Sequence, residues 1–279
     1  MNKRRRSIGI LVLALLFGGC ATTQDTVLKD TASVQQVQTE AAAPTQEPEA
    51  VEAIQPTETQ EPEPVMQTVT LTATGDCTLG ATQTHGYEGS FHEYYDKYGQ
   101  DYFFVGVRDI FEQDDFTLIN LECVLTESTD RVEKTWNLKG KPEYVGIMTG
   151  SSVEGCSLGN NHTLDYGQQS LSDTENVLDE AGIVYGYNEH VATYTTESGI
   201  VVGVVSVNLL AQTDEKAEYI HDGINRLREE GADIVVACCH WGIEGDHYPN
   251  DYQKTTAHKI IDWGADLLIG NHPHVLQGV

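Results

Sequence analysis

Two nearly unbroken apolar runs, residues 200–207 and 234–239, are separated by a segment in which Ile220, Ile224 and Leu227 fall on one helical face. Strands that alternate apolar and polar residues leave one face wet. Strands that read as continuous apolar runs are covered on both faces, and the connections between them supply the cover. The pattern therefore predicts an α/β protein with a largely covered, layered sheet and flanking helices. Further strands are expected at 69–73, 116–121, 153–158 and 267–269, and further helices at 102–113, 170–181 and 255–263. In the 170–181 helix, Leu171, Val177, Leu178 and Ala181 should face the core, with Gly182 as the stop.

This alternation begins near Gln67. Residues 21–66 contain no aromatic side chain and hold Pro44, Pro48, Pro56, Pro62 and Pro64, five of the chain's 8 prolines. Such a segment cannot bury enough apolar surface to offset its ordering entropy, so it reads as a disordered acidic tether. Ahead of it lie Lys3, Arg4, Arg5 and Arg6, an apolar run over 8–17, then Gly18, Gly19 and Cys20. The run is too short to span a bilayer and has the length of a signal-peptide core. Small residues before a cysteine resemble the lipobox of bacterial lipoproteins. The expected organisation is a lipoprotein signal peptide at 1–19, lipid attachment at Cys20, a tether at 20–66 and a folded domain at 67–279, with a plain signal peptide or an uncleaved anchor as the alternatives. The protein is then extracytoplasmic and anchored to membrane lipid.

The formal net charge is -27. A surface so acidic repels phosphate backbones, which excludes nucleic acid as a partner. Without Cys20, five cysteines remain at irregular spacing: Cys77, Cys123, Cys156, Cys238 and Cys239. An odd count is no disulfide framework, and the absence of any C-x-x-C argues against a structural zinc knuckle. Buried thiols are expected, with a Cys123–Cys156 bridge as the alternative.

The polar residues fall in telling places. Asp76, Glu122, Asn161, His240 and His272 each lie at or just past the carboxyl end of an expected strand. In open α/β sheets, ligands bind along that edge. Taken singly, each has a plain structural reading as a turn residue or a packed histidine. Together they bring carboxylates, an amide and imidazoles to one crevice, the donor types that suit Zn, Mn or Fe. Half of the 10 histidines lie in the last 40 residues, and His272-Pro273-His274 can turn two imidazoles toward one site.

Five blocks occur in order: Gly75-Asp76-Cys77-Thr78-Leu79-Gly80, Asn120-Leu121-Glu122, Asn160-Asn161-His162-Thr163-Leu164-Asp165-Tyr166-Gly167, His240-Trp241-Gly242-Ile243-Glu244 and His272-Pro273-His274. They resemble the CapA/PgsA capsule-synthesis family, a branch of the two-metal calcineurin-like phosphoesterases. The resemblance implies a metallophosphoesterase-like layered fold and one or two divalent metal ions. It implies that Asp76 and His274 bind one metal, that Asn161, His240 and His272 bind the other, and that Glu122 bridges. His162 would protonate a leaving oxygen, Asp165 would orient that imidazole, and Asn120, Asn160 and Glu244 would support the set. Thr78 stands where the parent superfamily has a ligand histidine. His85, His92, His221, His247 and His258 match no block and are expected at the surface or in packing. The last block is followed only by Val275-Leu276-Gln277-Gly278-Val279, where relatives are expected to continue, so the domain is expected to be incomplete at its C-terminus.

Three functions compete. The first is metal-dependent hydrolysis of an anionic polymer or phosphoester. The second, from the resemblance, is a non-catalytic factor beside membrane-bound capsule synthase subunits making poly-γ-glutamate or a related polymer. The third is an anchored carbohydrate-binding module using Tyr87, Tyr94, Tyr95, Tyr98 and Tyr102, although such a stripe more often packs a core.

Overall fold

The computed structural model describes residues 67–278. The expected signal peptide, Cys20 and the tether lie outside the described residues. Among the described residues no helix is long and apolar enough to cross a membrane.

Ten strands run in chain order: β1 (Leu71–Cys77), β2 (Phe116–Leu121), β3 (Val124–Leu125), β4 (Lys139–Gly140), β5 (Gly155–Ser157), β6 (Val184–Gly186), β7 (Ala192–Thr195), β8 (Val201–Asn208), β9 (Ile234–His240) and β10 (Leu267–Asn271). The helices are α1 (Phe91–Tyr98), α2 (Arg108–Phe111), α3 (Val145–Thr149), α4 (Gly167–Ala181), α5 (Asp214–Glu229) and α6 (Asp251–Asp262). Two four-stranded sheets form, ordered β1-β2-β5-β6 and β10-β9-β8-β7, and β3 pairs with β4. Every pairing is parallel except β7 with β8.

The sheets face each other. Phe116 and Leu118 of β2 pack against Val202 and Val204 of β8 and Val236 and Cys238 of β9. The alternate residues point outward. Ile119 and Leu121 meet Leu171 and Leu178 of α4, while Val205, Val207, Val235 and Ala237 meet Ile220, Ile224 and Leu227 of α5 and Ile260 of α6. The result is four layers, helix–sheet–sheet–helix, which explains why β8 and β9 read as nearly unbroken apolar runs. Each fully buried Leu, Ile or Phe contributes roughly 1.5–3 kcal/mol relative to exposure, so the two-faced strands anchor the fold.

Most expected elements stand within a few residues of their predicted ends. Gly182 stops α4 in the left-handed conformation, φ 73, where glycine has no Cβ to strain. The helix expected at 102–113 is largely absent. Only a single 3-10 turn, Gln100–Tyr102, and the four-residue α2 form there. Val107 leaves the helical region at φ -131, and Phe103 and Phe104 are drawn into the core instead. The cysteines Cys123, Cys156, Cys238 and Cys239 are buried and free, and Cys77 is free and half-buried. Cys123 and Cys156 form no bridge, and burial pushes the Cys123 thiol up to about 12. Of the tyrosines, Tyr95 packs on Tyr144 with centroids 4.4 Å apart, whereas Tyr87, Tyr94, Tyr98 and Tyr102 are exposed.

Candidate metal centre

The two-residue period that fills the space between the sheets also builds the site. Phe116, Leu118 and Asn120 share one face of β2, and Val236, Cys238 and His240 share one face of β9. The inter-sheet core thus turns polar at its carboxyl end, where Asn120 Nδ2 lies 3.3 Å from His240 Nδ1. One layer below, the Ser157 and Ser206 hydroxyls bond each other across the sheets.

β1 reaches this mouth through a register irregularity. Ala73 pairs with Leu118, but Asp76 pairs with Asn120, so β1 carries one extra residue. Such a bulge re-aims the side chain that follows it. Asp76 Oδ1 accepts from Asn120 Nδ2 at 2.7 Å. Its Oδ2 accepts from the His272 backbone N–H at 3.1 Å and lies 2.9 Å from His274 Nδ1. Past β10, His272 and His274 both adopt positive φ, 95 and 55. Non-glycine residues hold that conformation only where their surroundings over-determine it. Here the His272 N–H to Asp76 and the Gly245 N–H to Pro273 C=O bond, 2.8 Å, pin the turn.

Glu122, just past β2, is buried, with Oε1 3.8 Å from both His162 Nε2 and His240 Nε2. His240 Nε2 is 2.7 Å from Asn161 Oδ1. Asn160 is a structural knot: its amide donates to Leu121 C=O at 2.9 Å and its Oδ1 accepts from the His162 N–H at 2.9 Å. Gly159 must lie against β8 to place this loop, since a Cβ there would stand 2.5 Å from Val207 N. His162 Nδ1 sits 2.6 Å from Asp165 Oδ2, which also accepts from the Leu138 N–H at 2.6 Å.

Lys134 was not foreseen. Its Nζ donates to Asp165 Oδ1 at 2.6 Å and to the Asn161 carbonyl at 2.9 Å. No motif in the sequence marks it, because its partner Asp165 lies 31 residues further along the chain.

The electrostatics are those of a place short of positive charge. Burial, with Asp76 and Glu244 nearby, raises the Glu122 carboxyl to about 8. Burial, with His272, His162 and His274 around it, lowers His240 to about 2. Burial also lowers His272. His240 and Glu122 are therefore both shifted toward their uncharged forms, which weakens any ion pairing between them. His272 Nδ1 is buried with no hydrogen-bond partner among the described residues.

Donor atoms within 4.8 Å of one another form overlapping trios: Glu122 with His240 and His272, and Asp76 with Glu122 and His274. A third trio joins Glu244 to His272 and His274. Neutral imidazoles, a Glu122 carboxyl raised by burial and by its acidic neighbours, and an orphaned buried nitrogen fit a divalent cation. Asp76, Glu122, Asn161, His240, His272 and His274 all converge here. Asn120, Asn160 and Asp165 stand behind them, and Glu244 is exposed at the edge. Thr78 points elsewhere, its hydroxyl donating to Glu122 C=O at 3.4 Å. A separate trio, Glu218, His221 and Asp222, lies on the outer surface of α5.

Facing parallel sheets with a donor cluster at their carboxyl ends define a layered α/β protein with a centre suited to divalent cations. The chain belongs to the bacterial capsule synthesis protein family PGA_cap, whose profile matches residues 70–279. The five sequence blocks resemble this same family. The capsule biosynthesis protein CapA of Bacillus anthracis is 29% identical over 252 residues, covering 81% of this chain and 58% of that protein. The PGA biosynthesis protein CapA of Bacillus subtilis (strain 168) is 28% identical over 201 residues, 65% of this chain and 53% of its own. A protein of Mycobacterium tuberculosis named "Probable polyglutamine synthesis accessory protein" is 27% identical over 191 residues, 57% and 50% of the two chains. The chain spans about half the length of the curated relatives it matches.

Proposed function

We propose that this protein acts outside the cytoplasm, anchored through lipid on Cys20, in the synthesis or export of an anionic capsule polymer such as poly-γ-glutamate, and that its site is a hydrolytic metal centre of the phosphoesterase type. The observation that carries the reading is the sharing of Glu122 between the Asp76–His274 trio and the His240–His272 trio. That sharing is what a bridging carboxylate between two ions requires. The names of the relatives support the capsule setting, and on this reading the partners are membrane-bound synthase subunits.

One or two divalent ions, Mn, Zn or Fe, would neutralise phosphoryl charge and supply an activated water there. The chain's own part is to position and to move a proton. Asp76, Glu122, His274, Asn161, His240 and His272 form the cradle. His162 is the proton donor to the leaving oxygen: Asp165 holds its Nδ1, leaving Nε2 turned toward Glu122. Lys134 balances the buried Asp165 charge, so the carboxylate orients the imidazole without taking its proton.

Metal content per chain tests this. The unmodified protein should retain one or two equivalents and cleave a generic phosphodiester. Asp76→Ala and His240→Ala should each lose metal and at least 100-fold in rate, about the cost of removing a ligand's support. Absence of metal and of hydrolysis in the unmodified protein, under Mn, Zn and Fe alike, would end the reading.

A second reading, a non-catalytic assembly factor, is favoured by Thr78, which offers a hydroxyl to a backbone carbonyl instead of an imidazole. Capsule output after joint replacement of Asp76 and His272 separates the two. Unchanged output supports the assembly factor.

A further inference from the structure

We infer that Arg131 is the substrate-docking residue of this site, presenting its guanidinium to an oxyanion, carboxylate or phosphoryl, of the polymer or ester that His162 serves. The inference rests on the reading of the site as one that acts on an anionic substrate.

The chain has 43 acidic residues against 16 basic ones, yet Arg131, Lys134, Lys139 and Lys141 fall in one short segment. That segment is tied to the centre through Asp165. The Val132 N–H and the buried Asn137 side-chain amide both donate to the Asp165 carbonyl, each at 3.0 Å. Three of the four cations are already engaged. Lys134 meets Asp165 at 2.6 Å. Lys139 donates to Ser128 C=O at 2.8 Å and lies over the Tyr166 ring. Lys141 pairs with Glu143 at 3.3 Å and Asp96 at 3.9 Å.

Arg131 differs. It is exposed and has no carboxylate partner among the described residues. Its Nε donates to Asn137 Oδ1 and its Nη2 to Lys134 C=O at 2.9 Å. Two bonds to neutral acceptors fix the plane of the guanidinium and leave Nη1 free. A cation held rigid without a counter-charge, in so acidic a protein, is arranged for an external anion. It lines an open cleft of about 560 Å³ with Val132, Glu133, Lys134 and Thr135. Trp136, which follows the lining residue Thr135 in the chain, is 63% exposed.

The test is calorimetric binding to the full chain in detergent at low ionic strength, with two probes: a γ-linked glutamate oligomer and inorganic phosphate. Arg131→Gln should weaken binding of at least one probe about tenfold, the worth of a charge-assisted bond, with metal content unchanged. Arg131→Lys should recover part of it, which a misfolded variant could not do. Loss confined to the oligomer assigns the polymer carboxylate, and loss confined to phosphate assigns a phosphoester. Equal affinity of Arg131→Gln and the unmodified protein, or an unmodified protein that binds neither probe, overturns the assignment. Hydrolysis measured in parallel keeps the outcomes apart: an inactive protein whose anion binding still depends on Arg131 removes the enzymatic reading alone.

Discussion

Glu122 and His240 lie 3.8 Å apart and are both driven to their uncharged forms. Glu122 is raised to about 8 by burial and by Asp76 and Glu244, against the opposing pull of Lys134. His240 is lowered to about 2 by burial and neighbouring imidazoles. The consequences for stability have opposite signs. A carboxyl raised from 4.5 contributes stability below 4.5 that is lost as pH rises toward about 8. An imidazole lowered from 6.5 contributes stability above 6.5 that is lost as pH falls toward about 2. For metal-stripped protein these two groups together predict a stability plateau between about 4.5 and 6.5, with a fall on either side. Melting temperature against pH in chelator checks this. Glu122→Gln should abolish the alkaline fall and leave the acid one. An alkaline limb unchanged by Glu122→Gln would show that another group titrates. Adding metal should flatten the alkaline limb in the unmodified protein, because the ion takes the proton's place.

At the scale of elements, the site depends on a loop pressed against a strand. Gly159 precedes Asn160, Asn161 and His162, and its backbone touches β8 so closely that a Cβ would stand 2.5 Å from both Ser206 Oγ and Val207 N. Gly159→Ala should cost roughly 1–3 kcal/mol through overpacking and also lower metal content by displacing Asn161. Gly182→Ala is the control. At φ 73 with nothing near its would-be Cβ, it should cost about 1 kcal/mol and leave metal content unchanged. Urea midpoints and metal analysis read both. If Gly159→Ala keeps full metal, the loop does not need that approach. The two glycines also show what was legible. Gly182 ends a periodic helical pattern, so its role could be read from the sequence. Gly159 is required by a strand some 47 residues further on, which no local pattern reveals. The same division runs through the elements. β8 and β9 announce themselves because burial on both faces leaves them nearly all apolar up to their carboxyl ends. α1 was missed although Ser90 caps it, accepting from the Glu93 N–H at 3.2 Å while Glu93 reaches back to the Gly89 N–H at 2.6 Å. That Ser-x-x-Glu signature was available, but α1 buries no residue fully, so apolar periodicity was silent. The extra residue in β1 and Lys134 were likewise invisible, because both exist only in relation to distant chain.

For the whole molecule, what positions the domain in the cell is a question of charge. With 43 acidic residues against 16 basic ones, the protein is repelled by the anionic surface of a membrane, where each basic residue would contribute only about 1 kcal/mol. Four of the basic residues are Lys3, Arg4, Arg5 and Arg6, within the expected signal peptide, so the chain left by the proposed cleavage would be more acidic still. Electrostatics therefore do not favour this domain at a bilayer, and the proposed membrane attachment rests on buried hydrocarbon alone. The candidates are lipid on Cys20 or an uncleaved apolar run at 8–17, and they predict different outcomes. With lipid on Cys20, Cys20→Ser should move the protein from the membrane pellet to the soluble fraction or block its processing, visible as a heavier band, and labelled fatty acid should no longer be incorporated. High salt should release none of the unmodified protein, since screening weakens only charge-based attachment. A Cys20→Ser protein of mature size that stays in the pellet through high salt would exclude the lipid and leave another apolar anchor as the attachment.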